Sequence, residues 1–248
     1  MTSKSKPSHI TRESLQSWRV ATLARERDGT STTIASEDQL LESRRAMIPD
    51  DTDCGDLWVF GYGSLIANPI IAHEQRMIAR IHGYHRRFCL WTQIGRGSPE
   101  CPGLVLSLDL GGSCVGVGFK LQPDNAITEL DLLWRREMMT LAYNARWLKL
   151  HTDDGIKRGL AFVANPQGPA YAPSMPFEDL VTTVASAIGF NGPCHDYLFD
   201  TVAGMKDCGI RDHSMEKLAN AVSQRLASVE YFGVGTAFLL ENAAVAEW

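Results

Sequence analysis

Residues 58–65 read WVFGYGSL. Gly61 and Gly63 bracket Tyr62, and Ser64 follows at once, at the end of an apolar run. Glycine permits backbone angles closed to other residues and lets a ligand lie against the main chain. Successive N–H groups in such a turn converge on one concavity, which suits a carboxylate or an oxyanion. Tyr62 and Ser64 would add hydroxyl hydrogen bonds. A plain tight turn explains the same glycines without any ligand. The phosphate loops fail on spacing, because the third glycine of G-x-G-x-x-G and the lysine of G-x-x-x-x-G-K-[ST] are missing. The G-x-S-x-G elbow fails as well, since Ser64 directly follows Gly63.

The second group with chemical potential is Glu137. PDNAITELDLLWRREMMTLAY has helical spacing over about 125–142, and Ile127, Leu130, Trp134, Met138 and Leu141 form its apolar stripe. Glu137 falls near that stripe, beside Leu130, Leu133 and Leu141, whereas Arg136 points far from it and Arg135 lies well off it. An inward carboxylate is either half of a structural ion pair or an acid–base group with a pKa raised by burial. A group of the second kind accepts and returns protons efficiently near neutrality.

The elements that must position these residues follow from periodicity. DLWVF predicts one strand, and RMIARIHG and YHRRFCLW predict two more, broken at Gly83. GLVLSLDLGGSCVGVGFKL reads as a β-hairpin turning at Gly111-Gly112-Ser113, with Leu104, Leu106, Leu108 and Leu110 alternating before it and Val115, Val117, Phe119 and Leu121 after it. A second hairpin is expected around Asp154-Gly155. In the last third, Pro176 opens a helix that Gly189 closes, Asn191 and Pro193 start another that Gly209 ends, and Asp212 caps a third. Strands first and helices late make an α+β class. Residues 1–55 differ from the rest, being rich in Ser, Thr, Arg and Glu. Within them Ser36 and Gln39 stand at capping-box spacing, so a short helix is expected. The chain therefore divides into a partly helical N-terminal extension, 1–55, and a main domain, 56–248.

Composition narrows the partners. Twenty-nine acidic against 24 basic residues give a net charge of −5, which leaves no basic surplus for nucleic acid. The start, MTSKSKPSHITRESL, has no apolar stretch of a secretory leader, and nothing approaches the length of a membrane span. The six cysteines form no C-x-x-C pair. A reduced, cytoplasmic protein with mostly buried cysteines and a small-molecule substrate is expected. Metal binding is weakly supported: His82 and His85 are three apart on a predicted strand and face opposite sides. Cys101 has no base placed beside it by sequence.

Taken in order, WVFGYGSL with Ile66, Asn68 and Pro69, GYHRRF at 83–88, RGSPECPG at 96–103, LLWRREM at 132–138, and HDYLFDTV and GIRD between 195 and 212 resemble the ChaC-like γ-glutamylcyclotransferases. The resemblance spans roughly residues 57–212. It implies a mostly antiparallel, barrel-like sheet with flanking helices. It also implies a lyase that acts on glutathione and releases 5-oxoproline and cysteinylglycine, without cofactor or metal. The family's ligand loop maps onto Val59, Phe60, Gly61, Tyr62, Gly63, Ser64 and Leu65, and its catalytic glutamate onto Glu137. Tyr143 is a further candidate contact, or else a core tyrosine. Arg96 would attract the glycine-end carboxylate of the tripeptide, or else stand in solvent. One departure is Ala67, where the family often carries Trp. It motivates a second reading, a cyclotransferase for another γ-glutamyl peptide or amine. A third is a γ-glutamyl binding module without turnover.

Overall fold

The computed structural model describes residues 10–28 and 34–243. The first nine residues of the expected extension, its residues 29–33, and residues 244–248 of the expected main domain lie outside the described residues. Three helices come first: α1 (Arg12–Gln16), α2 (Arg19–Asp28) and α3 (Glu37–Met47). The capping box at Ser36 forms as its spacing requires, with Gln39 N–H donating to Ser36 Oγ at 3.2 Å and Ser36 N–H donating to Gln39 Oε1 at 2.8 Å.

The next elements build a closed barrel. In chain order they are β1 (Trp58–Gly61), α4 (Ser64–Ala67), β2 (His73–Thr92), β3 (Gly103–Leu121), α5 (Ala126–Glu137), β4 (Tyr143–Thr152) and β5 (Gly155–Ala164). The strands lie in the order β1-β3-β2-β4-β5. Pairs run antiparallel, except that β5 pairs in parallel with β1, closing the barrel, and with β3 at Leu108 opposite Val163. The expected α+β class and barrel-like sheet are therefore present, with a parallel seam added. The hairpin at Asp154-Gly155 is also present, with Thr152 opposite Gly155.

The long central ladder differs from the sequence expectation. The break at Gly83 and the turn at Gly111-Gly112-Ser113 are not chain reversals. Residues 73–92 and 103–121 form two continuous strands that pair along their whole length, from His73 opposite Leu121 to Thr92 opposite Gly103. The reversal is the 93–102 loop. Gly83, Gly111 and Gly112 have φ of 85°, 95° and 72°, and they sit opposite one another where the register slips between His82 and Tyr84. They make a bulge that bends the ladder. The extra residue switches the buried positions from even (Leu104, Leu106, Leu108) to odd (Val117, Phe119, Leu121), and Leu110 at the bend is 65% exposed.

Two apolar clusters follow from strand alternation. Trp58, Phe60, Ile81, Leu108, Leu150 and Ala161 fill the barrel. Val59, Phe119 and Phe162 face outward against Leu130, Leu133 and Trp134 of α5. The same outer cluster receives α6 (Phe177–Ser186), α7 (Cys194–Asp207) and α8 (His213–Ala243). Pro176 and Pro193 stand at the N-caps of α6 and α7, and Asp212 accepts from the Ser214 and Met215 N–H groups at the head of α8. Gly189 does not close α6, which ends at Ser186; it lies in a two-residue strand, β6 (Ile188–Gly189), paired with β7 (Gly192–Pro193). The helix at α5 also stops earlier than expected, at Glu137. Leu141 adopts φ 56° to turn the chain into β4 and is 47% exposed, so it leaves the stripe. Among the described residues, no helix is long and apolar enough to cross a membrane.

Candidate active site

β1 delivers Gly61 to the barrel rim, and Tyr62-Gly63 carries the chain into the single turn of α4. Neither Gly61 nor Gly63 has positive φ. Close approach explains Gly61, where an added Cβ would lie 2.8 Å from Phe119 Cε2 and 3.2 Å from Leu65 Cβ. Gly63 presents its bare face to the Tyr197 hydroxyl, 3.4 Å from where a Cβ would stand. The first helical bond of α4 runs from Ile66 N–H to Gly63 C=O, so the N–H groups of Ser64 and Leu65 precede it and need other partners.

Glu137 is the last residue of α5, and its side chain is 14% exposed. It lines the same cavity as Tyr62, Gly63, Ser64, Leu65 and Tyr143. That cavity has a narrow deep end of about 20 Å³, room for one water-sized group, completed by Leu106, Phe162 and Tyr197. Through Ser64, Glu137, Tyr143 and Tyr197 it joins a cleft of about 240 Å³ whose walls include Ala67, Asn68, Arg96, Arg136, Asn191 and Asp200. Ile10, from the N-terminal segment, also reaches this cleft.

The electrostatics single out one titrating group in the deep end. Burial pushes the Glu137 carboxyl above its ordinary value, against the opposing pull of Arg136. Burial, reinforced by the Glu137 charge, raises Tyr62 well above the usual phenol value. Burial raises Tyr143 and Tyr197 as well. The three phenols therefore stay neutral around neutrality. Tyr62 donates to Phe162 C=O at 2.7 Å and Tyr143 to Leu106 C=O at 3.2 Å, while the Tyr197 oxygen accepts from Leu106 N–H at 3.4 Å. In the cleft, Asp200 is also raised by burial, with Arg96 opposing.

Most expected site residues meet here. Tyr62, Gly63, Ser64, Leu65, Glu137 and Tyr143 line the deep end, and Arg96 and Ala67 line the cleft. Arg96 is tethered to Pro193 C=O at 3.1 Å and sits 5.9 Å from the Tyr197 ring centre. Val59, Phe60 and Gly61 stand behind the cavity: Val59 and Phe60 are fully buried in the two apolar clusters. Arg136 corrects the helical-wheel expectation. It is 7% exposed, and its Nε lies 3.0 Å from Glu137 Oε1. It also donates to Ser64 Oγ and Asn68 C=O, both at 2.8 Å. A wheel places Cα directions, whereas a long guanidinium at a helix end reaches around to α4. Tyr197 is signalled in the sequence only by the HDYLFDTV stretch. Among the described residues, no group of three or more His, Cys, Asp or Glu is placed to hold a metal ion.

The barrel with this cleft defines a class by its fold. A crystal structure of a yeast γ-glutamyl cyclotransferase specific to glutathione is 21% identical and superposes with a TM-score of 0.61, covering 68% of this chain and 96% of that one. By sequence, the chain matches the model of the ChaC-like protein family over residues 57–225. It is 34% identical over 193 residues to the glutathione-specific γ-glutamylcyclotransferase of Escherichia coli strain K12, covering 77% of this chain and 84% of the relative. It is 32% identical over 184 residues to the human glutathione-specific γ-glutamylcyclotransferase 1, covering 71% of this chain and 83% of the relative. The chain belongs to the ChaC-like family.

Proposed function

We propose that this chain is a glutathione-specific γ-glutamylcyclotransferase, a lyase of glutathione catabolism that converts glutathione to 5-oxoproline and cysteinylglycine. The observation that carries the reading is a buried, proton-affine Glu137 in one cavity with the Tyr62-Gly63-Ser64 turn. The relatives' activity supports it.

The substrate brings its own nucleophile. Its α-amine attacks the γ-carbonyl carbon, a five-membered lactam closes, and the amide bond to cysteine breaks. Because the attack is intramolecular, holding the curled chain supplies several kcal/mol of the acceleration. Backbone N–H groups of the turn receive the substrate carboxylate or the developing oxyanion. The ammonium nitrogen loses two protons to become the lactam N–H, and the departing nitrogen gains two to leave as an ammonium. Glu137 carries them in turn, one before the attack and one as the amide bond breaks, so the proton count closes. Arg136 bridges the Glu137 carboxylate and the Ser64 hydroxyl and limits the rise that burial imposes. The neutral tyrosines wall off water and do not compete as bases. Arg96, on the cleft wall, receives the glycine-end carboxylate. The reaction as written uses no cofactor, since nucleophile and leaving group belong to one molecule. The small substrate and the unpaired cysteines fit a reducing, cytoplasmic setting.

The test is direct. Folded protein incubated with glutathione, without added metal, yields 5-oxoproline and cysteinylglycine in equal amounts; absence of both products refutes the assignment. Ala67 favours a second reading of the specificity. It lines the cleft wall and packs on Gly204, where an added Cβ would lie 2.9 Å from the Ala67 Cβ. A panel of γ-glutamyl peptides and amines compared by kcat/KM decides between the two, and a clear preference for glutathione removes the second.

A further inference from the structure

Arg86, on β2, is outside the cavity, yet its side chain is only 2% exposed. Its Nε donates to the Tyr62 carbonyl at 2.5 Å, and its terminal nitrogens donate to Val115 C=O at 2.6 Å and to Asp212 Oδ2 at 2.5 Å. The other Asp212 oxygen accepts the Ser214 and Met215 N–H groups at the head of α8. A buried guanidinium is costly unless each face is paired. Here one face is committed to a single peptide group of the ligand turn. That peptide is planar and trans, so the Gly63 N–H points opposite to the Tyr62 C=O. Gly63 lines the cavity and Arg86 stands behind it.

We propose that Arg86, braced by Asp212, is a positioning residue that locks the Tyr62–Gly63 peptide with the Gly63 N–H presented to the substrate. The bond from a cation to the carbonyl also polarises the peptide and makes its N–H a stronger donor. The proposal rests on the cyclotransferase reading of the turn. It explains why an arginine on β2 and an aspartate before α8 accompany a catalytic carboxylate on α5.

The test uses Arg86→Lys, which keeps the charge and loses the three-way bridge, and Asp212→Asn, which leaves Arg86 intact with one brace weakened. In Arg86→Lys, kcat/KM for glutathione falls about 100-fold, the loss expected of a donor displaced by about an ångström. Asp212→Asn shows a smaller fall. The acidic limb of the pH–rate profile, which belongs to Glu137, stays where it is in both. A stability role alone would lower the melting temperature and leave kcat/KM of the folded enzyme within about twofold of wild type, and that result overturns the proposal. If Arg86→Lys does not fold, Asp212→Asn decides by the same two outcomes. The Gly63 amide resonance of ¹⁵N-labelled protein separates this idea from the function it rests on. Absent turnover by the wild type refutes the function, whereas a Gly63 resonance unmoved by both substitutions refutes the positioning role.

Discussion

At the scale of single residues, the proposed reaction turns on the protonation of Glu137. Its folded pKa lies above the value of an unfolded carboxyl because burial penalises the charge. Between the two values the native state holds a proton that the unfolded chain releases. Stability therefore falls as pH rises through that window, and the penalty persists above it. Glu137→Gln removes the penalty. The variant should melt higher than wild type above neutrality, with the gap closing below the ordinary carboxylate range, as thermal melts at a series of pH values would record. A gap that does not change with pH contradicts a raised pKa. The inward turn of Glu137 was legible, because its helical angle alone sets it beside Leu130 and Leu133. The capture of Arg136 was not. It depends on Ser64 and Asn68, which are distant in sequence and adjacent only after folding.

At the scale of elements, the glycines carry different messages. Those at 83, 111 and 112 looked like breaks and turns, since a positive-φ residue serves a bulge as readily as a reversal. The even-to-odd switch of buried positions in β3 was present in the pattern, and it records the inserted residue. The true reversal, residues 93–102, carries no strand pattern; its RGSPECPG stretch stood out only as part of the family resemblance, not as a turn. The ligand turn makes a sharper prediction. Gly61→Ala drives a methyl to 2.8 Å from the Phe119 ring, so denaturant melts should show a loss of about 1–3 kcal/mol from overpacking. Gly63→Ala meets only ordinary contacts, with its nearest neighbour at 3.4 Å, so it should keep stability and lose kcat/KM instead. The opposite pairing of effects would mean that the turn is structural and the cavity is not the site.

At the scale of the whole molecule, the N-terminal segment is packed onto α5, the helix that carries Glu137. Leu15, Val20 and Ala21 pack with Leu132 and Met139, and Arg12 grips Glu129 through both nitrogens at 2.7 and 2.6 Å. We propose the division near residue 55 as a boundary of sequence character, across which the segment braces α5 and lends Ile10 to the cleft. The Ser36 cap was legible from two residues; this docking was not, because Glu129 looks like any surface glutamate until Arg12 arrives from 117 residues away. Glu129 is 2% exposed, and among the described residues Arg12→Ala leaves it only the Ala72 N–H. Arg12 itself is 40% exposed, which discounts the loss to about 2 kcal/mol by urea unfolding, and an unchanged midpoint would contradict the brace. The role of one carboxylate is measured directly by 5-oxoproline release from wild type and Glu137→Gln, with glutathione binding followed in parallel. A general base at Glu137 requires a loss of turnover of at least about 100-fold in the variant with binding largely kept; turnover near the wild-type rate would rule that role out.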